Sequence, residues 1–179
     1  MKNQKIDIFY DKVINNVDYH RYSENSKPVK IIKESSIQAL RFNVMPDKDV
    51  DEKVCIKEYR IWDNAIESIF DRQYTTAMIK SPSHLTFLSG LVNLQKMVYI
   101  YMHHHLSVNY KNDGEELIKV WPRKLDIDMP KMILKKKNIS HLMIIKSIIK
   151  LKHNKYKVVA NTTIDGSVAI SGEALVVVL

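Results

Sequence analysis

Between Ser81 and His105 the chain reads SPSHLTFLSGLVNLQKMVYIYMHHH. Ser81 and Pro82 have the chemistry of an N-cap and a first helical position, so the pattern predicts one long helix over 81–105. Leu88, Leu91, Val98 and Met102 form one apolar stripe on it, and Phe87, Leu94, Met97 and Tyr101 form another. A helix apolar over more than half its circumference needs cover on nearly all sides, and a curved sheet supplies that better than a flat one. Thr86, Ser89, Asn93 and Lys96 leave one narrow polar stripe, which faces either solvent or a site.

The flanking segments supply the sheet. VKII and SIQALRFNVM before Pro46, VCIKEYRI over 54–61 and YTTAMIK over 74–80 have strand character, while WDNAIESIF fits either a strand or a helical turn. After a turn at Asn112–Gly114 come LIKVWP, KLDID and KMILKK, short extended pieces separated by Pro122 and Pro130. ISHLMIIKSIIKLK, whose Leu142, Ile145, Ile148 and Ile149 also fit a helical period, YKVVANTTI and SVAISGEALVVV then predict an antiparallel meander, with Asp165–Gly166 as its last tight turn. Residues 8–19 carry apolar side chains at helical spacing and predict a short leading helix. With no βαβ alternation and no repeat, the expectation is a single α+β domain over 1–179: an antiparallel sheet wrapped around one long central helix.

Cys55 is the sole cysteine, which excludes an intramolecular disulfide and a cysteine-rich zinc site. No apolar run reaches the roughly 18–20 residues of a membrane span, and the first residues lack a signal-peptide pattern, so the expected location is the cytoplasm. The net charge of +8 favours anionic partners, and lysines crowd the region after residue 118. No helix-turn-helix or aromatic–basic strand accompanies them, so nucleic acid is not the expected partner.

Candidate chemistry gathers near the helix start. In the first turn of the predicted helix, His84 is either a catalytic base or orienting group, or a residue bonded to a neighbouring strand. The backbone of Ser83 to Leu85 is then placed to polarise a carbonyl. Gln95 returns to within about 20° of the azimuth of His84, so it either lines the same groove or is a satisfied amide. Between Lys80 and Asp113 there is no acidic residue; a carboxylate base has to come from Asp63, Glu67 or Asp71, with Tyr74 as another proton donor. His103, His104 and His105 point about 100° apart on a regular helix and cannot share one metal ion. No motif calls for a metal or a cofactor.

SPSHLTFLSGLVNLQKMVYIY together with SGEALVVV resembles the FcoT-like type III thioesterases of the hot-dog superfamily, over roughly residues 74 to 179. His84 matches the family histidine, and Ser171, Gly172 and Glu173 match the terminal motif. Thr86 and Gln95 stand where the family has asparagines, and Met78 where it has a tyrosine. The resemblance implies a hot-dog fold, a homodimer, and acyl-thioester chemistry (hydrolysis, dehydration or addition to an enoyl thioester) in specialised lipid or polyketide metabolism. Catalysis would fall to His84, Thr86, Gln95 and Tyr74. The substrate, an acyl-CoA or acyl carrier protein, would meet Ser83, Leu85 and Ser89, with Lys135 and Lys136 receiving its phosphates or acidic surface. The alternative is a non-catalytic hot-dog protein that binds an acyl ligand or a protein partner.

Overall fold

The computed structural model describes residues 27–33, 41–43, 50–76, 83–108 and 117–179. The predicted leading helix, Met78, the Ser81–Pro82 pair and the Asn112–Gly114 turn lie outside them. Eight strands and one helix follow in the order β1 (Lys30–Lys33), β2 (Arg41–Asn43), β3 (Val50–Trp62), β4 (Ala65–Thr76), α1 (Phe87–His105), β5 (Ile118–Asp128), β6 (Ile139–Lys150), β7 (Lys155–Ile164) and β8 (Val168–Val178).

The strands form one sheet in the order β1-β3-β4-β6-β7-β8-β5, with β2 also paired to β3. Every pairing is antiparallel. Thus β4, which precedes the helix, and β5, which follows it, lie on opposite sides of the β6–β8 meander. α1 packs against β3, β4 and β5 alike, so the sheet curls around it. This is the expected α+β arrangement, and its geometry is consistent with a hot-dog fold. The core lies between helix and sheet, where Ile56, Tyr59, Phe70, Met97, Met102 and Ile139 are buried.

Alternation explains most of the strands. On β4, Ile66, Ser68, Phe70 and Arg72 are buried on one face while Glu67, Ile69 and Asp71 fall on the other. WDNAIESIF is a hairpin rather than a helical turn, with Asp63 and Asn64 between β3 and β4. The turn at Asp165 and Gly166 is as expected, both residues taking positive φ (48° and 63°).

Three expectations fail. LIKVWP and KLDID are one strand, β5, which runs through Pro122 with a bulge between Pro122 and Lys124. Proline is tolerated because β5 is the edge of the sheet and needs no ladder bond there. KMILKK is not a strand; Ile133 is buried within an irregular loop whose carbonyls bond to other elements. The helix does not begin at Ser81: residues 83–86 are not helical, and Thr86, at φ −73° and ψ 146°, is the N-cap.

Candidate functional site

Helix α1 enters the fold with its polar stripe inward. Ser89 and Asn93 are buried, whereas Phe87 and Leu88 are more than two-fifths exposed. Two polar clusters account for this. In the first, the fully buried Glu52 of β3 accepts hydrogen bonds from Thr86 Oγ1, from Ser89 Oγ (2.6 Å) and from the Thr86 N–H (3.2 Å). Arg72 of β4 faces it at 3.2 Å, with both side chains at 0 % exposure. Arg72 donates further to the carbonyls of Ser83 (2.8 Å), Lys135 (3.0 Å) and Ile133 (3.3 Å). Burial lowers the pKa of Arg72, and Glu52 works in the opposite direction.

In the second cluster Asn93 joins β4 to β6: its Nδ2 donates to Ser68 Oγ (3.2 Å) and to His141 Nδ1 (3.1 Å). His141 Nδ1 is therefore the acceptor and Nε2 carries the proton, without a hydrogen-bond partner. Full burial pushes the pKa of His141 down to about 3, so the ring is neutral at any ordinary pH. Serine, asparagine and histidine are all present here, yet the asparagine stands between the other two and all three side chains are shut away from solvent. The order for a nucleophile and its base is missing.

The sequence-derived candidates separate. His84 lies in the irregular segment ahead of the N-cap, not in the first turn, and its ring is 6.4 Å from that of Tyr74. The Leu85 N–H donates to the Ile133 carbonyl (2.9 Å) and the Thr86 N–H to Glu52, so these amides are occupied rather than free to polarise a substrate carbonyl. The Ser83 hydroxyl is buried without a hydrogen-bond partner. Thr86 and Ser89 are cap residues held by Glu52. Lys135 is ion-paired to Asp165 at 2.7 Å, and Lys136 is exposed, its carbonyl accepting from the Arg72 N–H.

Nor do the expected carboxylates reach the helix. Glu67 and Asp71 sit on the far face of β4, where they pair with Arg60 (3.3 Å) and Lys57 (3.0 Å), and Asp63 is in the hairpin turn. Lys57 and the Asn138 N–H lower the pKa of Asp71 against a burial effect of opposite sign. His103 is a buried core residue bonded to the Val108 carbonyl (3.0 Å), and among the described residues no cluster has the makings of a metal site.

Gln95 does reach a cavity. It lines a hollow of about 230 Å³ between α1 and the inner faces of β5 to β8, walled by aliphatic side chains; Gln95, Thr162 and Glu173 are the polar residues on its lining. A second hollow of about 460 Å³, with more polar walls that include Lys96 and Lys119, adjoins it and shares Val92, Gln95 and Val120. Burial lowers the pKa of Lys96. Gln95 Nε2 donates to the Val120 carbonyl at 3.2 Å, tying the helix to the edge strand where the hollows meet. Glu173 is held by Lys157 (2.6 Å) and approached by Arg123 (3.9 Å); the hydrogen bond from Lys157 lowers its pKa most.

Comparison with known proteins adds little. No protein-family model matches the chain, and no curated protein matches it. Among solved structures, a mutant thioesterase from Pseudomonas aeruginosa matches with 9% identity over 69% of this chain and 82% of that one, at a TM-score of 0.42. At that score the likeness decides neither fold nor activity. Among the described residues no helix is long and apolar enough to cross a membrane.

Proposed function

We propose that this chain is a hot-dog protein that binds and processes an acyl thioester, carried on coenzyme A or on an acyl carrier protein. The observation that carries the reading is the meeting of two hollows at Gln95, one aliphatic and one polar. The acyl chain takes the first hollow and the polar arm of the carrier takes the second, which leaves the thioester beside Gln95. The Gln95 amide orients the carbonyl. Glu173 lies between Gly172 and Ala174 and so carries its carboxylate to the outer face of β8, beside Lys157 and away from Gln95. His84 and Tyr74 stand outside this arrangement.

A panel of acyl-CoA and acyl-carrier-protein esters, assayed for hydrolysis, hydration and amine addition, tests the roles. Gln95→Ala is expected to lower turnover by about 10²-fold, the usual worth of a donor aimed at the reacting carbonyl, and Glu173→Gln to leave it within a few-fold of wild type. His84→Ala is expected to leave it within a few-fold of wild type. Turnover that survives Gln95→Ala but disappears with His84→Ala would reverse the assignment. One observation favours a second reading, a non-catalytic acyl binder: Glu52, the carboxylate at the helix N-terminus, is saturated by hydrogen bonds and cannot act as a base. Tight binding of the esters without turnover in any of the assays would establish it.

A further inference from the structure

The aliphatic hollow crosses the strands rather than following them. Its wall passes from Pro122 and Leu125 on β5, over Gly172 on β8 and Ala160 on β7, to Met143 on β6. Three inter-strand steps of about 4.8 Å make that path roughly 14 Å long. The β5 end is open, with Pro122 and Gln95 exposed, and the β6 end is closed by Met143 and Thr162, at 0 % and 2 % exposure. A volume of about 230 Å³ drawn out over such a length is a bore for a single hydrocarbon chain. It falls below the ~300–1,000 Å³ usual for ligand pockets.

The floor of the bore consists of facing residue pairs on β7 and β8: Val158 with Ala174, Ala160 with Gly172, and Thr162 with Ile170. The middle pair carries one methyl group between its two residues. Gly172 cannot gain a side chain, because a Cβ there would run into the Lys124 carbonyl oxygen of β5. The height of the floor at this point is therefore set by the side chain at 160.

We infer that the hollow admits a linear, medium-length acyl chain end-on and that Ala160 fixes how far the chain can enter. This rests on the acyl-thioester reading above. Branched and aromatic acyl groups do not fit the bore, and long chains overrun its closed end. A larger residue at 160 blocks the inner third and leaves the mouth, with Gln95, untouched.

Wild type, Ala160→Val and Ala160→Leu are compared with acetyl-, butyryl-, octanoyl-, palmitoyl- and benzoyl-CoA, by turnover and by calorimetric binding. Wild type should prefer octanoyl-CoA to palmitoyl- and benzoyl-CoA by about tenfold or more, a discrimination within reach of a few methylene contacts. Ala160→Leu should lose octanoyl-CoA by a similar factor and keep butyryl-CoA within about twofold, with Ala160→Val between. Because leucine fills existing space, its thermal midpoint should equal or exceed that of wild type. If the leucine variant does not fold, the valine profile decides. Identical chain-length profiles in the folded proteins overturn the role of Ala160 while leaving the acyl-thioester reading intact. Failure of wild type to bind any of the esters overturns both.

Discussion

Glu52 and Arg72 form a buried ion pair, and the pair matters less for its attraction than for what either charge would face alone. Glu52→Ala strands a guanidinium at 0 % side-chain exposure, so a loss of about 3–5 kcal/mol is expected in urea denaturation. Adding Arg72→Leu should recover part of that loss; a double variant less stable than the single one would count against the account. At His141 the folded protein holds the pKa near 3, against an ordinary value of about 6.5 in the unfolded chain. The unfolded state then binds more protons between these values, so stability is complete above pH about 6.5 and declines as pH falls toward 3. His141→Gln should flatten the decline between pH about 5 and 6.5, above the carboxylate range, as followed by thermal midpoints. None of this was legible in the sequence. Glu52 stood out in no pattern and His141 read as one residue of a strand, and only strand pairing brings them against the helix.

At the scale of elements, the start of α1 shows how a local signal is overridden. Ser81 and Pro82 have the right chemistry for a helix start, yet residues 83–86 are not helical and Thr86 caps the helix. In a capping box the third residue after the cap is commonly glutamate; here that position is Ser89, and the carboxylate comes from Glu52 on another strand. Thr86→Ala removes both the cap and a partner of Glu52, so a cost of about 1–2 kcal/mol is expected, read from a denaturation midpoint with unchanged slope. The meander β6 to β8 was legible, because alternation and the Asp165–Gly166 turn agree with each other. β5 was not: Pro122 looks like a break until the strand is known to lie on an edge, whereas Pro130 does follow the end of the strand at Asp128. For the site, Gln95 was visible as a helix residue lining a groove, but the sequence placed that groove beside His84 rather than against β5.

Taken as a whole, the described molecule has an uneven surface. Along β5 and the loop after it, Trp121, Ile127, Met129, Met132 and Leu134 are exposed, between 37% and 62%. Among the described residues β5 is also the end of the strand order, so its outer side has no ladder partner there. Self-association through this edge is the expected outcome, giving a dimer in sedimentation velocity that Trp121→Lys shifts toward monomer.

The Arg72 cluster also bears on the order in which the chain assembles. Its hydrogen bonds join residues that are 11, 20, 61 and 63 positions apart, drawn from two strands, the helix approach and the loop before β6. Contacts of such mixed range close only after the intervening chain has been gathered, so they belong to the last step before the native state. In a chevron plot the damage done by Glu52→Ala should fall on the unfolding limb, with the folding limb nearly unmoved. The cluster acts as a latch: it contributes little to how quickly the sheet finds the helix and much to how long the two stay together.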